Sequence, residues 1–227
     1  MESIDKVQGT FEKRMADLKV TAPPAVIKRL PRYYRCLADL LRDGRMRISS
    51  AELSEIMEVT ASQIRQDLNC FGGFGQQGYG YNIKYLYSKI SELLGVTEGY
   101  RAVIVGAGNL GRALAATHMF ERRGVERLAL FDNDPELIGK DICGLPVLSV
   151  GELGSFCEKN NVHIGVLTVP KEAAYEVAKI MSDKGVLGIW NFANMELKLD
   201  GDCIVENIHL GDSLMTLCYE IKNKEGK

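Results

Sequence analysis

A chain of 227 residues, 46% hydrophobic and 26% charged, has the make-up of an ordinary packed protein and enough length for two small cores. No stretch approaches the roughly 18 uninterrupted apolar residues of a membrane span. The N-terminal segment is charged throughout rather than carrying a signal-type apolar run, so a cytoplasmic location is expected. Six cysteines without a C-x-x-C pair and three histidines without ligand spacing lead us to expect reduced thiols and no metal.

The formal net charge of −2 conceals an asymmetry. Residues 1–84 carry 13 Lys+Arg against 10 Asp+Glu, whereas residues 85–227 carry 15 against 20. Within 26–47, Lys28, Arg29, Arg32, Arg35, Arg42, Arg45 and Arg47 face only Asp39 and Asp43, a cluster that can contact phosphates or simply be a solvated helix face.

No function is read into the polar residues 1–20. Pro31 is tolerated in a first helical turn, which predicts a helix over 31–42, closed by Asp43-Gly44. Ser49 and Glu52 have the spacing of a capping box for a short helix to about Met57. Thr60 then caps a third helix, Ala61–Asn69, in which Ile64 and Leu68 share one face and leave Ser62, Gln63, Arg65 and Gln66 outside. Those four are side chains of the kind that reach base edges and phosphates from a major groove. The glycine-rich, aromatic run Phe71–Tyr81 reads as a hairpin wing in which Gly78, Tyr79 and Tyr81 approach DNA; the alternative is a linker. Asn82 caps a connecting helix from Ile83 to about Leu94.

The most specific motif follows. The β-branched strand ending at Val105 runs into Gly106-Ala107-Gly108-Asn109-Leu110-Gly111 and then a helix, the order that seats a pyrophosphate on a helix N-terminus. A second strand, Leu128–Phe131, ends at Asp132, 21 residues after Gly111, where an acid accepts ribose hydroxyls and repels the extra phosphate of NADP. NAD+ and NADH are therefore the expected ligands. Strands over 162–168 and 187–192 alternate with helices from Val150 and over 171–184, which predicts a doubly wound, mostly parallel sheet. Thr168, Val169, Pro170, Asn191 and Phe192 fall at carboxyl ends of strands and are candidate pocket walls. A last amphipathic helix, 212–222, packs either on its own domain or on a second subunit.

Taken together, Lys28–Arg35, Ile48–Leu53, Val59–Leu68, Phe71-Gly72, Gly78–Asn82, Val105–Gly111, Phe131–Pro135 and Asn191–Ala193 resemble the redox-sensing transcriptional repressor family Rex. The resemblance implies a winged helix-turn-helix over 1–84, a Rossmann NAD(H) domain over 85–205 and a C-terminal helix over 206–227 swapped between the subunits of a homodimer. It also implies binding to a palindromic operator and release by NADH. Arg29 joins the candidate DNA contacts within the first matching stretch. Three departures stand out. Glutamines occupy 66, 76 and 77, where the family often has basic residues. Ile208-His209-Leu210 stands where a Val-Asp-Leu/Phe segment is common, and Thr117 or His118 where some members carry tyrosine. The family places those last two positions near the nicotinamide, so Thr117, His118 and His209 are the candidates for redox coupling. The rival reading, an NAD-dependent oxidoreductase, lacks a proton-transferring constellation after the glycine motif. A third reading gives the Rossmann half CoA or NADP(H) instead.

Overall fold

The computed structural model describes residues 22–71, 75–76 and 80–225, which form two compact units that divide between Gly95 and Val96. The division lies beyond the expected 84/85 boundary because helix α4 (Ile83–Leu93) buries Leu86 and Ile90 in the first core.

The first unit begins with α1 (Pro24–Arg42). The sequence led us to expect its start at Pro31, yet Pro31 lies inside the helix and Pro24 occupies the first turn. Buried Val26, Leu30, Tyr33, Leu37 and Leu40 run at spacings of four and three straight through the proline. Ile27, whose carbonyl loses its i+4 donor, is on the exposed side of the helix, where solvent can supply the missing donor and soften the usual cost of an internal proline. Strand β1 (Arg47–Ile48) leads to α2 (Ser50–Met57), whose capping box forms as expected: Ser49 Oγ accepts from Glu52 N, and Ser49 N donates to the Glu52 carboxylate. The two hydrogen bonds from Ser49 and one from Arg45 hold the Glu52 carboxyl down to about 2. Glu58, in a left-handed conformation (φ 51°), turns the chain, and Thr60 caps α3 (Ala61–Asn69) by accepting from Gln63 N. Strands β2 (Gly75–Gln76) and β3 (Gly80–Asn82) pair antiparallel with each other, and β3 pairs with β1, giving sheet order β1-β3-β2. This is a winged helix-turn-helix. Gly78 and Tyr79 lie outside the described residues.

The second unit opens with β4 (Tyr100–Val105) and α5 (Asn109–Ala116). It continues with β5 (Val125–Asp132), β6 (Asp141–Ile142), β7 (Leu145–Ser149), α6 (Leu153–Asn160), β8 (Ile164–Leu167) and α7 (Lys171–Asp183). Strands β9 (Gly188–Asn191) and β10 (Ile204–Asn207) and helix α8 (Leu210–Glu225) complete it. The sheet order is β10-β9-β8-β4-β5-β7-β6, parallel except for the β6 edge. The continuous apolar run of β4 follows from burial on both faces: Val103 and Val105 enter one core, Ile104 the other. From β4 the chain builds one side of the sheet through β5 and β7, then returns to the other side through β8. The carboxyl ends of β4 and β8 thus flank a topological switch point, where doubly wound sheets open a crevice.

Candidate nucleotide and DNA sites

At that switch point the glycines of the loop have three different jobs. Gly106 has φ +101°, and a Cβ there would stand 2.7 Å from the Thr168 carbonyl oxygen. A Cβ on Gly111 would stand 1.9 Å from Gly106 O, so α5 reaches the strand only because residue 111 has no side chain. Gly108, by contrast, has an ordinary φ of −71° and nothing within 4 Å of its hypothetical Cβ. Among the described residues nothing asks for glycine there. The open space lies at the N-terminus of α5, where the first amides lack intrahelical acceptors, and it fits a pyrophosphate approaching the backbone. Thr168 Oγ1 donates within reach of Val105 O (3.0 Å) and Gly106 O (2.8 Å), pinning the β8 end against the loop.

The Asp132 carboxylate accepts from Ala107 N (2.6 Å) and Asp134 N (2.9 Å), so it is held at the rim of the loop with lone pairs left for hydroxyls. Arg112, which the sequence reading passed over, donates from Nε to Ala107 O (2.6 Å) and keeps its guanidinium beside the same loop. A basic residue one position past the last glycine was the available signal. Asn109 is exposed and Leu110 and Val169 are half-buried; Pro170 is exposed and precedes α7. Asn191 needs correcting: it is fully buried, donating to Met195 O and Asn207 Oδ1 and accepting from Ala193 N, so it builds the loop after β9 rather than facing a ligand. Phe192 is half-buried and packs edge-to-face on Trp190.

Among the described residues no hydrogen bond or ion pair links the coupling candidates to one another. Thr117 closes α5 and donates to Leu114 O, His118 is exposed, and His209 Nε2 lies 3.0 Å from Glu196 Oε1.

On α3, Ser62, Arg65 and Gln66 are exposed as expected, with Arg65 steadied by Ser50 Oγ at 3.1 Å. Tyr81 needs correcting: only 8% exposed, it enters the first core, because strand alternation turns it inward between Gly80 and Asn82. Arg29 is likewise engaged inside the unit. Its guanidinium grips Asp67 through Nε–Oδ2 (2.7 Å) and Nη2–Oδ1 (2.6 Å). The same carboxylate accepts from Tyr33 (3.0 Å) and Gln63 Nε2 (2.8 Å). Burial pushes the Asp67 carboxyl up, but hydrogen bonds from Arg29, Gln63 and Tyr33 outweigh it and leave the group below its ordinary value. Asp67 was missed, although an acid between Ile64 and Leu68 on the buried face of a helix is itself a signal that a partner waits across the core.

A winged helix with an exposed polar face on α3, followed by a Rossmann unit with a glycine loop at its switch point, defines the class of nucleotide-responsive DNA-binding regulators. Residues 21–69 match the family described as putative DNA-binding protein N-terminus, and residues 97–195 match the CoA binding domain family. The redox-sensing transcriptional repressor Rex of Caldicellulosiruptor saccharolyticus is 50% identical over 200 residues, covering 88% of this chain and 91% of that protein. The Rex of Clostridium botulinum is 49% identical over 209 residues, covering 92% and 100%. The crystal structure of RSP in complex with beta-NAD+ and operator DNA has a TM-score of 0.85 at 47% identity, covering 90% and 94% of the two chains. RSP in complex with beta-NADH has a TM-score of 0.83 at 44% identity, covering 90% and 96%. The chain belongs to the redox-sensing transcriptional repressor family Rex, whose members are named as repressors and not as enzymes. Among the described residues no group of side chains is arranged to hold a metal, and no helix is long and apolar enough to cross a membrane.

Proposed function

We propose that this chain is a cytoplasmic, homodimeric repressor that holds a palindromic operator when free or NAD+-bound and releases it when NADH binds. The observation that carries the nucleotide half is Gly108: a glycine that no neighbour among the described residues requires, at a helix N-terminus, beside a fixed carboxylate. Gly106–Gly111 and the first amides of α5 hold the pyrophosphate, Asp132 accepts the adenosine ribose hydroxyls, and Thr168, Val169, Pro170 and Phe192 wall the crevice. Ser62, Gln63, Arg65 and Gln66 face the operator, with Arg29 acting through Asp67, and Gly78 and Tyr79, outside the described residues, are kept as expected DNA contacts. RSP, a Rex-family repressor, is described both with NAD+ and operator DNA and with NADH, which supports one fold serving both ligands.

The dimer rests on α8. Leu210, Leu214, Leu217 and Ile221 recur at spacings of four and three and are 48–63% exposed in the single chain. A 16-residue helix with so apolar a stripe is stabilised by burial against a partner rather than by propensity alone. A dimer is also what a two-fold operator requires. NADH empties the operator only by favouring an arrangement of the two reading heads that no longer matches the half-site spacing, since a ligand shifts an equilibrium by its differential affinity alone. Thr117, His118 and His209 are the coupling positions.

CoA is the second reading, prompted by the description of the matched family. It shares the pyrophosphate, but the phosphate on its adenosine ribose would meet the Asp132 carboxylate. A thermal-shift panel of NADH, NAD+, NADPH and CoA tests the choice. The largest shift with NADH supports the proposal; a larger shift with CoA or NADPH overturns it.

A further inference from the structure

Asp67 is ionised, fully buried and acceptor-only, and one of its bonds goes to the amide of a residue that faces the operator. Gln63 stands in the first turn of α3, four residues before Asp67, with its backbone N–H capped by Thr60 and its side chain half-buried. At 2.8 Å from a carboxylate oxygen, only the NH2 end of the Gln63 amide can face Asp67; the C=O end would set two electron-rich oxygens against each other. The orientation of a glutamine amide, ordinarily free to flip, is therefore fixed by chemistry. Arg29 prevents Asp67 from turning away, because its two nitrogens occupy both carboxylate oxygens.

That orientation leaves Gln63 with one N–H and one carbonyl oxygen, neither of which has a partner among the described residues. Resting on the reading of α3 as the recognition helix, we propose that Asp67 makes Gln63 a reader of adenine in the operator half-site. In the major groove adenine offers an acceptor at N7 and a donor at N6, the complement of one donor and one acceptor. Guanine offers two acceptors, N7 and O6, and would need the second N–H that Asp67 has taken. Cytosine and thymine satisfy only one of the two groups. Asp67 is thus a positioning residue and Gln63 the specificity-determining one.

The test uses the full-length protein and an operator selected from random sequence, with each base pair of the half-site replaced symmetrically in turn and affinity read by fluorescence anisotropy at fixed salt. In the wild type, one A·T pair replaced by G·C is expected to weaken binding about 5- to 150-fold, the discrimination of one bidentate contact. In Gln63→Ala that position alone becomes indifferent while the others keep their preferences. In Asp67→Asn the two-oxygen acceptor that both Arg29 and Gln63 grip is replaced by an amide with one oxygen, so the Gln63 amide is no longer held in one orientation and the preference for A over G shrinks at the same position. A merely structural Asp67 would weaken all sequences alike. If Asp67→Asn does not fold, the Gln63→Ala profile decides. A Gln63→Ala profile identical to the wild type, or a flattened position that had preferred G, overturns the proposal while leaving the repressor reading intact. Failure of the wild type to select any operator overturns both.

Discussion

The sharpest consequence of the loop geometry is that Gly108→Ala and Gly111→Ala should both abolish nucleotide binding, yet differ in what they do to the fold. At Gly108 the added methyl meets nothing within 4 Å and the backbone is in an ordinary region, so the free protein loses less than about 1 kcal/mol, the scale of an altered N-cap. The methyl occupies the space through which the pyrophosphate approaches. A ligand at a hundred times its dissociation constant stabilises a protein by about 2.7 kcal/mol. For a chain of this length that is a rise in Tm of about 5–10 °C. Differential scanning fluorimetry with saturating NADH should show that rise in the wild type and none in Gly108→Ala, whose unliganded melt stays near the wild type. At Gly111 the methyl would stand 1.9 Å from Gly106 O, so α5 must retreat from β4 by about 1 Å or more, an overpacking that costs about 1–3 kcal/mol or more before any ligand is added. Its unliganded melt should fall by several degrees. A Gly108→Ala protein that keeps the full NADH shift would refute the assignment of the cradle, and an unchanged Gly111→Ala melt would refute the helix-to-strand contact.

Asp67→Ala should destabilise the first unit by about 3 kcal/mol: Arg29 is partly exposed and regains water, but the buried Tyr33 hydroxyl is left without its acceptor. Because the folded pKa of Asp67 lies below its ordinary 3.8, its contribution is complete above that value and is lost as pH falls below it. Melts from pH 6 downward should therefore steepen below about pH 4 in the wild type and stay flatter in Asp67→Asn, and parallel curves would contradict this. If α8 forms the proposed dimer, placing aspartates at Leu214 and Leu217 together should leave a monomer in sedimentation and weaken operator binding at least about 100-fold, since each half-site is then bound alone. His209→Ala frees Glu196 and should change the ratio of NADH to NAD+ affinity in isothermal titration; an unchanged ratio removes His209 from the coupling.

Local features were legible because their causes lie within a few residues. The Ser49–Glu52 box, the Thr60 and Asn82 caps and the strand-glycine-helix order of 100–116 all formed as the sequence suggested. What escaped depends on partners far along the chain. The first two turns of α1 were lost to a local rule about Pro31, although the apolar spacing from Val26 to Leu40 already ran through it. Tyr81 was assigned to a groove because a two-residue alternation in a glycine-rich strand does not say which side is the core. Asn191 was assigned to the pocket by its place at a strand end, whereas its partners Met195 and Asn207 belong to a loop and to a strand, β10, that the sequence reading did not identify. Arg29 and Asp67 are 38 residues apart, and no periodicity links them.

Operator binding under redox control tests the whole account most directly. Fluorescence anisotropy of a selected palindromic duplex, with NADH titrated against a constant NAD+ background at fixed salt, should show release that rises with the NADH to NAD+ ratio and is reversed by added NAD+. Tight, sequence-specific binding that ignores both dinucleotides would contradict it.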